Sequence, residues 1–140
     1  MTLKTISPVD GRVYAERTPA TAAEIDAALE RARKAQRAWR AVSVTERASI
    51  MERFCAEFER RGQELAVGLS WQMGRPVRFA PSEVRGTLER ARYMNGIAAT
   101  ALADLDTGPK AGFRRFVRRE PLGVVFTVAE IGRASCRERV

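Results

Sequence analysis

Histidine is absent from the 140-residue chain, and cysteine occurs only twice, at Cys55 and Cys136. No Cys–His zinc set and no Ser–His or Cys–His nucleophile pair can be assembled from that inventory. Aromatic residues make up 7% of the sequence. No apolar run approaches the roughly 18–20 residues a membrane span requires, so a transmembrane helix is excluded. No Gly-x-Gly-x-x-Gly occurs, which removes the usual sign of a dinucleotide turn. Met1 to Pro8 lacks the basic and apolar blocks of a secretory signal, so a cytoplasmic location is expected, and Pro8-Val9-Asp10-Gly11 reads as a turn. The two cysteines are far apart, and nothing else suggests an oxidising compartment; a buried free thiol is the expected state of Cys55.

What the chain does have is charge. Lys and Arg number 25 against 17 Asp and Glu, for a net charge of +8, which raises nucleic acid or an acidic surface as a partner. The distribution favours a plainer reading. Between Glu24 and Arg92 basic residues alternate with Glu at helical spacing, as in Glu30 with Lys34 and Glu57 with Arg61, the pattern of a solvated helix face. Only Phe113-Arg114-Arg115-Phe116-Val117-Arg118-Arg119 concentrates positive charge beside aromatics. A small basic helical module that binds an acidic partner or nucleic acid through this stretch is therefore carried as an alternative reading.

The order of local signals predicts an extended opening, four helices and then strands. Pro8 and Gly11 punctuate a hairpin-like lead-in containing Val13-Tyr14. Thr21-Ala22-Ala23-Glu24 has the spacing of a capping box, and Ile25, Ala28, Leu29, Ala32, Ala35 and Trp39 follow on one narrow stripe, with Trp39 as a core anchor. Ser43-Val44-Thr45-Glu46 repeats the cap before a second apolar face of Ile50, Met51, Phe54, Cys55 and Phe58. Gly62 reads as the stop of that helix, Gln63 to Met73 as a third helix ending at Gly74, and Pro81-Ser82-Glu83 as the start of a fourth. In the fourth, Val84, Leu88, Ala91 and Ala98 face one way and Arg85, Glu89 and Arg92 another. Asp106-Thr107-Gly108-Pro109 is a turn cluster, Phe113 to Arg119 is extended, and Leu122 to Ala129 is a near-continuous apolar run of the kind found in a central parallel strand. A strand buried on both faces needs layers that these residues do not supply, so the sequence reads as the opening of a larger α/β domain.

The residues that carry a family resemblance are spread along this whole stretch. They are Ser7-Pro8-Val9-Asp10-Gly11-Arg12-Val13, Glu24-Ile25-Asp26-Ala27-Ala28-Leu29 with Ala35-Gln36-Arg37-Ala38-Trp39, Glu46-Arg47-Ala48, Met73-Gly74-Arg75-Pro76, Glu83-Val84, and Arg119-Glu120-Pro121-Leu122-Gly123-Val124-Val125. In that order and spacing, residues 5–129 resemble the N-terminal segment of the aldehyde dehydrogenase superfamily. At Gly74-Arg75-Pro76 the family usually has Gly-Lys-Pro. The resemblance implies an incomplete α/β, Rossmann-like cofactor-binding domain. Residues 1–112 would be its N-terminal helical part, 113–120 an oligomerisation strand, and 121–129 the first strand leading into the cofactor-binding core.

Beyond that strand the family continues into a Pro-Trp-Asn segment whose asparagine helps form the oxyanion hole. Here the chain instead reads Glu130-Ile131-Gly132-Arg133-Ala134-Ser135-Cys136-Arg137-Glu138-Arg139-Val140. This tail resembles the translation of a short-read sequencing adapter, so 130–140 is expected to be a non-native tail. Cys136 then has no claim to function, and Cys55 on its apolar helix face behaves as a small hydrophobe. For the full-length parent the resemblance implies oxidation of an aldehyde to a carboxylate with NAD or NADP as hydride acceptor, in a homodimer or homotetramer, with neither nucleic acid nor membrane as partner. The nucleophilic cysteine, the oxyanion asparagine, the general-base glutamate and the cofactor turn would all lie beyond Ala129. No catalytic, cofactor-binding or metal-binding residue is expected in this chain, which is expected to be an inactive fragment that binds neither cofactor.

Overall fold

The computed structural model describes residues 2–127. The lead-in is an antiparallel pair, β1 (Leu3–Ile6) with β2 (Val13–Arg17), in which Leu3 faces Arg17 and the register slips between Thr5 and Ile6. Gly11, at φ 73°, closes the connection, its N–H donating to the Ser7 carbonyl at 2.9 Å while the Ser7 N–H donates to the Arg12 carbonyl at 2.8 Å. A left-handed residue at that point is what glycine permits at no steric cost.

Four helices follow: α1 (Ala22–Ala41), α2 (Val44–Arg60), α3 (Gly62–Met73) and α4 (Ala80–Ala101). The start of α1 is a complete capping box. The Glu24 N–H donates to Thr21 Oγ1 at 3.3 Å, and the Thr21 N–H donates to the Glu24 carboxylate at 2.8 Å. At α2 the Ser43 hydroxyl accepts the Glu46 N–H at 3.1 Å. Pro81 sits in the first turn of α4, where its missing N–H costs nothing. Gly74 ends α3 in the left-handed conformation at φ 71°.

Gly62 does not stop the second helix. The break falls at Arg61, φ −90° and ψ 7°, and Gly62 is already the first residue of α3. Its glycine character answers to packing, because a Cβ there would lie 3.3 Å from Val84 Cγ1. The α2–α3 junction thus approaches α4 closely, and α4 packs against both helices.

The core is small. Cys55 of α2 meets Val84 and Leu88 of α4, with Phe58, Leu65 and Ala91 packed around them. Of the apolar face expected on α2, only Cys55 is fully enclosed, and Met51 and Phe54 stay exposed. The Phe54 and Phe58 rings lie 5.7 Å apart. Across the outer rim, Arg92 of α4 bridges Glu52 at 3.1 Å and Glu59 at 2.7 Å on α2. Helix α1 buries no residue, and Trp39, expected as a core anchor, remains 41% exposed. Its stripe has the spacing for packing, but the described residues supply no second surface against it.

The end of the described chain also differs from expectation. A short ribbon pairs β3 (Leu105–Asp106) with β4 (Phe116–Val117), so only Phe116 and Val117 of the extended Phe113 to Arg119 stretch form a strand, Phe113 makes an isolated bridge to Lys110, and Phe116 faces Asp106, the first residue of the expected turn cluster. Leu122 to Thr127, expected as most of a central strand, carries no strand assignment, with Leu122 97% and Phe126 86% exposed. A strand exists only through ladder bonds to a neighbour, and no neighbour is present among the described residues. The last two residues of that expected strand, and the tail 130–140 with Cys136, lie outside the described residues.

Candidate functional site

Three places in the fold bring chemistry-bearing side chains together: the hairpin dock, the Cys55 core and the arginine-rich ribbon. The dock was not foreseen as a unit. Ser7 is buried, and its hydroxyl donates to the Trp71 carbonyl in the last turn of α3 at 2.7 Å while accepting the Val9 N–H at 3.3 Å. That hydroxyl satisfies one of the carbonyls a helix end leaves without an intrahelical donor. One turn on, Pro8 lies against Gly74, where an added Cβ would meet Pro8 Cγ at 3.1 Å. Ser7-Pro8 and Gly74 are separated by over sixty positions in sequence but form one contact. Beyond them, Arg75 pairs with Glu83 at the start of α4, and the Arg78 guanidinium lies 4.6 Å from the Phe79 ring centre. The dock therefore fixes the hairpin, the α3 terminus and the α4 start relative to one another. Its polar groups are engaged within the fold, the Ser7 hydroxyl with the Trp71 carbonyl and the Glu83 carboxylate with Arg75.

Cys55 is the only cysteine among the described residues and it is a free thiol with no exposed surface. It faces Val84 and Leu88, with Phe58, Leu65 and Ala91 packed around them. A thiol enclosed by aliphatic side chains cannot meet an electrophile from solvent while α2 and α4 remain packed. Among the described residues no group of three Cys, Asp or Glu side chains is arranged to hold a metal ion.

The arginine-rich stretch turns its charges back onto its own chain. Arg118 straddles the Asp104 carboxylate, with Nη2 at 3.1 Å from Oδ2 and Nε at 3.3 Å from each oxygen. The carboxylate holds the Arg118 pKa above the ordinary arginine value, chiefly through these hydrogen bonds. Arg115 donates to the Gly108 carbonyl at 3.2 Å and Arg119 to the Ala103 carbonyl at 2.7 Å. The Arg114 and Arg118 guanidiniums lie 5.2 and 4.9 Å from the centre of the Phe116 ring. These contacts tie the flanks of β4 to residues on either side of β3, a ribbon that two pairs of residues alone would hold only marginally. An open hollow of about 460 Å³ beside the ribbon is lined by Asp104 and Asp106 as well as Arg114 and Arg115. Carboxylates and guanidiniums thus share one wall of the hollow.

Two further segments also expose apolar side chains. Helix α1 presents Ile25, Leu29 and Trp39, and the terminal segment presents Leu122, Val125 and Phe126. A single ion pair, Arg40 to Glu120 at 3.0 Å, ties the end of α1 to the start of that segment. Both partners are largely exposed, and such a pair contributes little stability.

Comparison with known proteins gives these features a common context. The sequence model of the aldehyde dehydrogenase family matches residues 1–129. An aldehyde dehydrogenase of Deinococcus radiodurans is 33% identical over 123 residues, covering 85% of this chain and 23% of its own length. A succinate-semialdehyde dehydrogenase [NADP(+)] of Mycobacterium avium is 31% identical over 131 residues, covering 91% and 28%. Among solved structures, PnpE in complex with nicotinamide adenine dinucleotide superposes with a TM-score of 0.78 at 30% identity, covering 87% of this chain and 25% of that one. The chain thus spans about a quarter of the length of the curated relatives it matches.

Proposed function

Because the chain belongs to the aldehyde dehydrogenase family, we propose that it is the N-terminal part of an NAD- or NADP-dependent enzyme that oxidises an aldehyde to a carboxylic acid. One observation carries this reading: the family model matches residues 1–129, and 87% of the chain superposes on a quarter of a solved relative at TM-score 0.78. One relative's name specifies NADP(+) and one solved structure contains NAD, which supports a nicotinamide dinucleotide as hydride acceptor in the parent. The described residues do not themselves fit that group. They contain no parallel strand, glycine turn and helix in succession whose backbone N–H groups would cradle a pyrophosphate.

The contribution of this chain's own residues is scaffolding. The Cys55–Val84–Leu88 core holds α2 on α4, the Ser7 dock holds the hairpin on α3, and the exposed stripe of α1 and the Leu122–Phe126 segment are surfaces for further layers of an α/β domain. Within the same proposal, residues 113–120 are an arm for homo-oligomer formation, 121–129 lead toward the cofactor-binding core, and 130–140 are foreign to the gene. The thiol nucleophile, oxyanion donor and general base belong to the parent beyond this segment, and the chain alone has no activity. A cytoplasmic location completes the proposal; among the described residues no helix is long and apolar enough to cross a membrane.

Long-read sequencing of the locus past the codon for Ala129, followed by expression of the recovered gene, tests the reading. The expected result is a continuing frame whose product reduces NAD or NADP in the presence of aldehydes, while the 140-residue chain reduces neither. A recovered gene that encodes 130–140 and then stops would overturn the foreign tail. A longer product that never reduces either cofactor with short, long or aromatic aldehydes would overturn the activity.

A further inference from the structure

We draw no further inference here: the strongest candidate, the exposed apolar stripe of α1 formed by Ile25, Leu29 and Trp39, carries nothing because nothing in the structure shows what covers it, and the hollow beside the β3–β4 ribbon and the lone buried Cys55 belong to the features already described.

Discussion

Replacing Gly74 by alanine isolates the contact that docks the hairpin on the helices. Gly74 sits at φ 71°, where an L-residue costs about 1–2 kcal/mol. The stiffer unfolded chain offsets roughly 0.4–1 kcal/mol of that cost. The new Cβ would also stand 3.1 Å from Pro8 Cγ, in a ring that cannot swing aside because Ser7 beside it is tied to the Trp71 carbonyl. Crowding of this kind costs about 1 kcal/mol or more. Gly11→Ala is the matched control, because Gly11 has nearly the same φ, 73°, but nothing within 4 Å of an added Cβ. Urea unfolding of the 140-residue chain, followed by circular dichroism and by tryptophan fluorescence, should show Gly74→Ala less stable than Gly11→Ala by about 1 kcal/mol, roughly fivefold in the unfolding equilibrium. Adding Pro8→Ala to Gly74→Ala should recover most of that difference. Equal losses at the two glycines, or no recovery on trimming Pro8, would refute the docking argument and leave only the backbone penalty.

Three further outcomes are expected. In a Cys136→Ser background, Cys55 should resist a thiol reagent in buffer and react fully in urea, and Cys55→Ser should cost about 1–3 kcal/mol by burying a hydroxyl among aliphatic groups; rapid labelling of the folded chain would contradict the enclosed thiol. Glu24, Glu57, Glu59 and Glu64 all titrate below the ordinary glutamate value of 4.5, Glu24 chiefly through the Thr21 N–H and the others through Arg60, Arg92 and Arg61. Their folded pKa values lie below the unfolded one, so their contribution is present above 4.5 and is lost as pH falls through the folded values. With no histidine in the chain, stability should be flat between about pH 6 and 8 and decline on acidification below the glutamate range, and a transition near neutrality would contradict this assignment. Finally, a chain ending at Gly112 should scatter less light at equal concentration than the 140-residue chain, because it lacks the exposed Leu122, Val125 and Phe126; equal scattering would mean that this segment does not drive association.

The helix boundaries were legible because they depend on short-range chemistry. Thr21 with Glu24, Ser43 before Glu46, Gly74 and Pro81 each act within a few residues of their own position, so spacing alone predicts what they do. Gly62 shows where that logic fails. The same residue type at a helix junction serves close approach to Val84, over twenty positions away in sequence, and a linear reading has no access to that neighbour. Ser7 is similar: the Pro8–Gly11 turn beside it could be read from the sequence, but its hydroxyl's acceptor is the Trp71 carbonyl on α3. The candidate site was legible chiefly in the negative sense that the available residue types restrict the chemistry. The sequence also marked the arginine-rich stretch as charged beside aromatics, but not that Arg115 and Arg119 are turned onto backbone carbonyls and Arg118 onto Asp104.

Periodicity reports the capacity to pack, and burial reports whether a partner is there. On α4, Val84 and Leu88 have both, since α2 brings Cys55 against them and a Glu52–Arg92–Glu59 bridge closes over the outside. On α1 the stripe of Ile25, Leu29 and Trp39 is equally regular, yet it faces solvent. In Leu122 to Phe126 the apolar run is denser still, and it neither pairs nor buries. These two segments are joined by the Arg40–Glu120 pair, and additional layers laid on them would bury apolar surface and lower the free energy. Burying an exposed Leu, Val or Phe side chain contributes about 1.5–3 kcal/mol. The uncovered apolar surface of α1 and 122–126 therefore represents a larger reserve of stabilisation than its single exposed ion pair supplies.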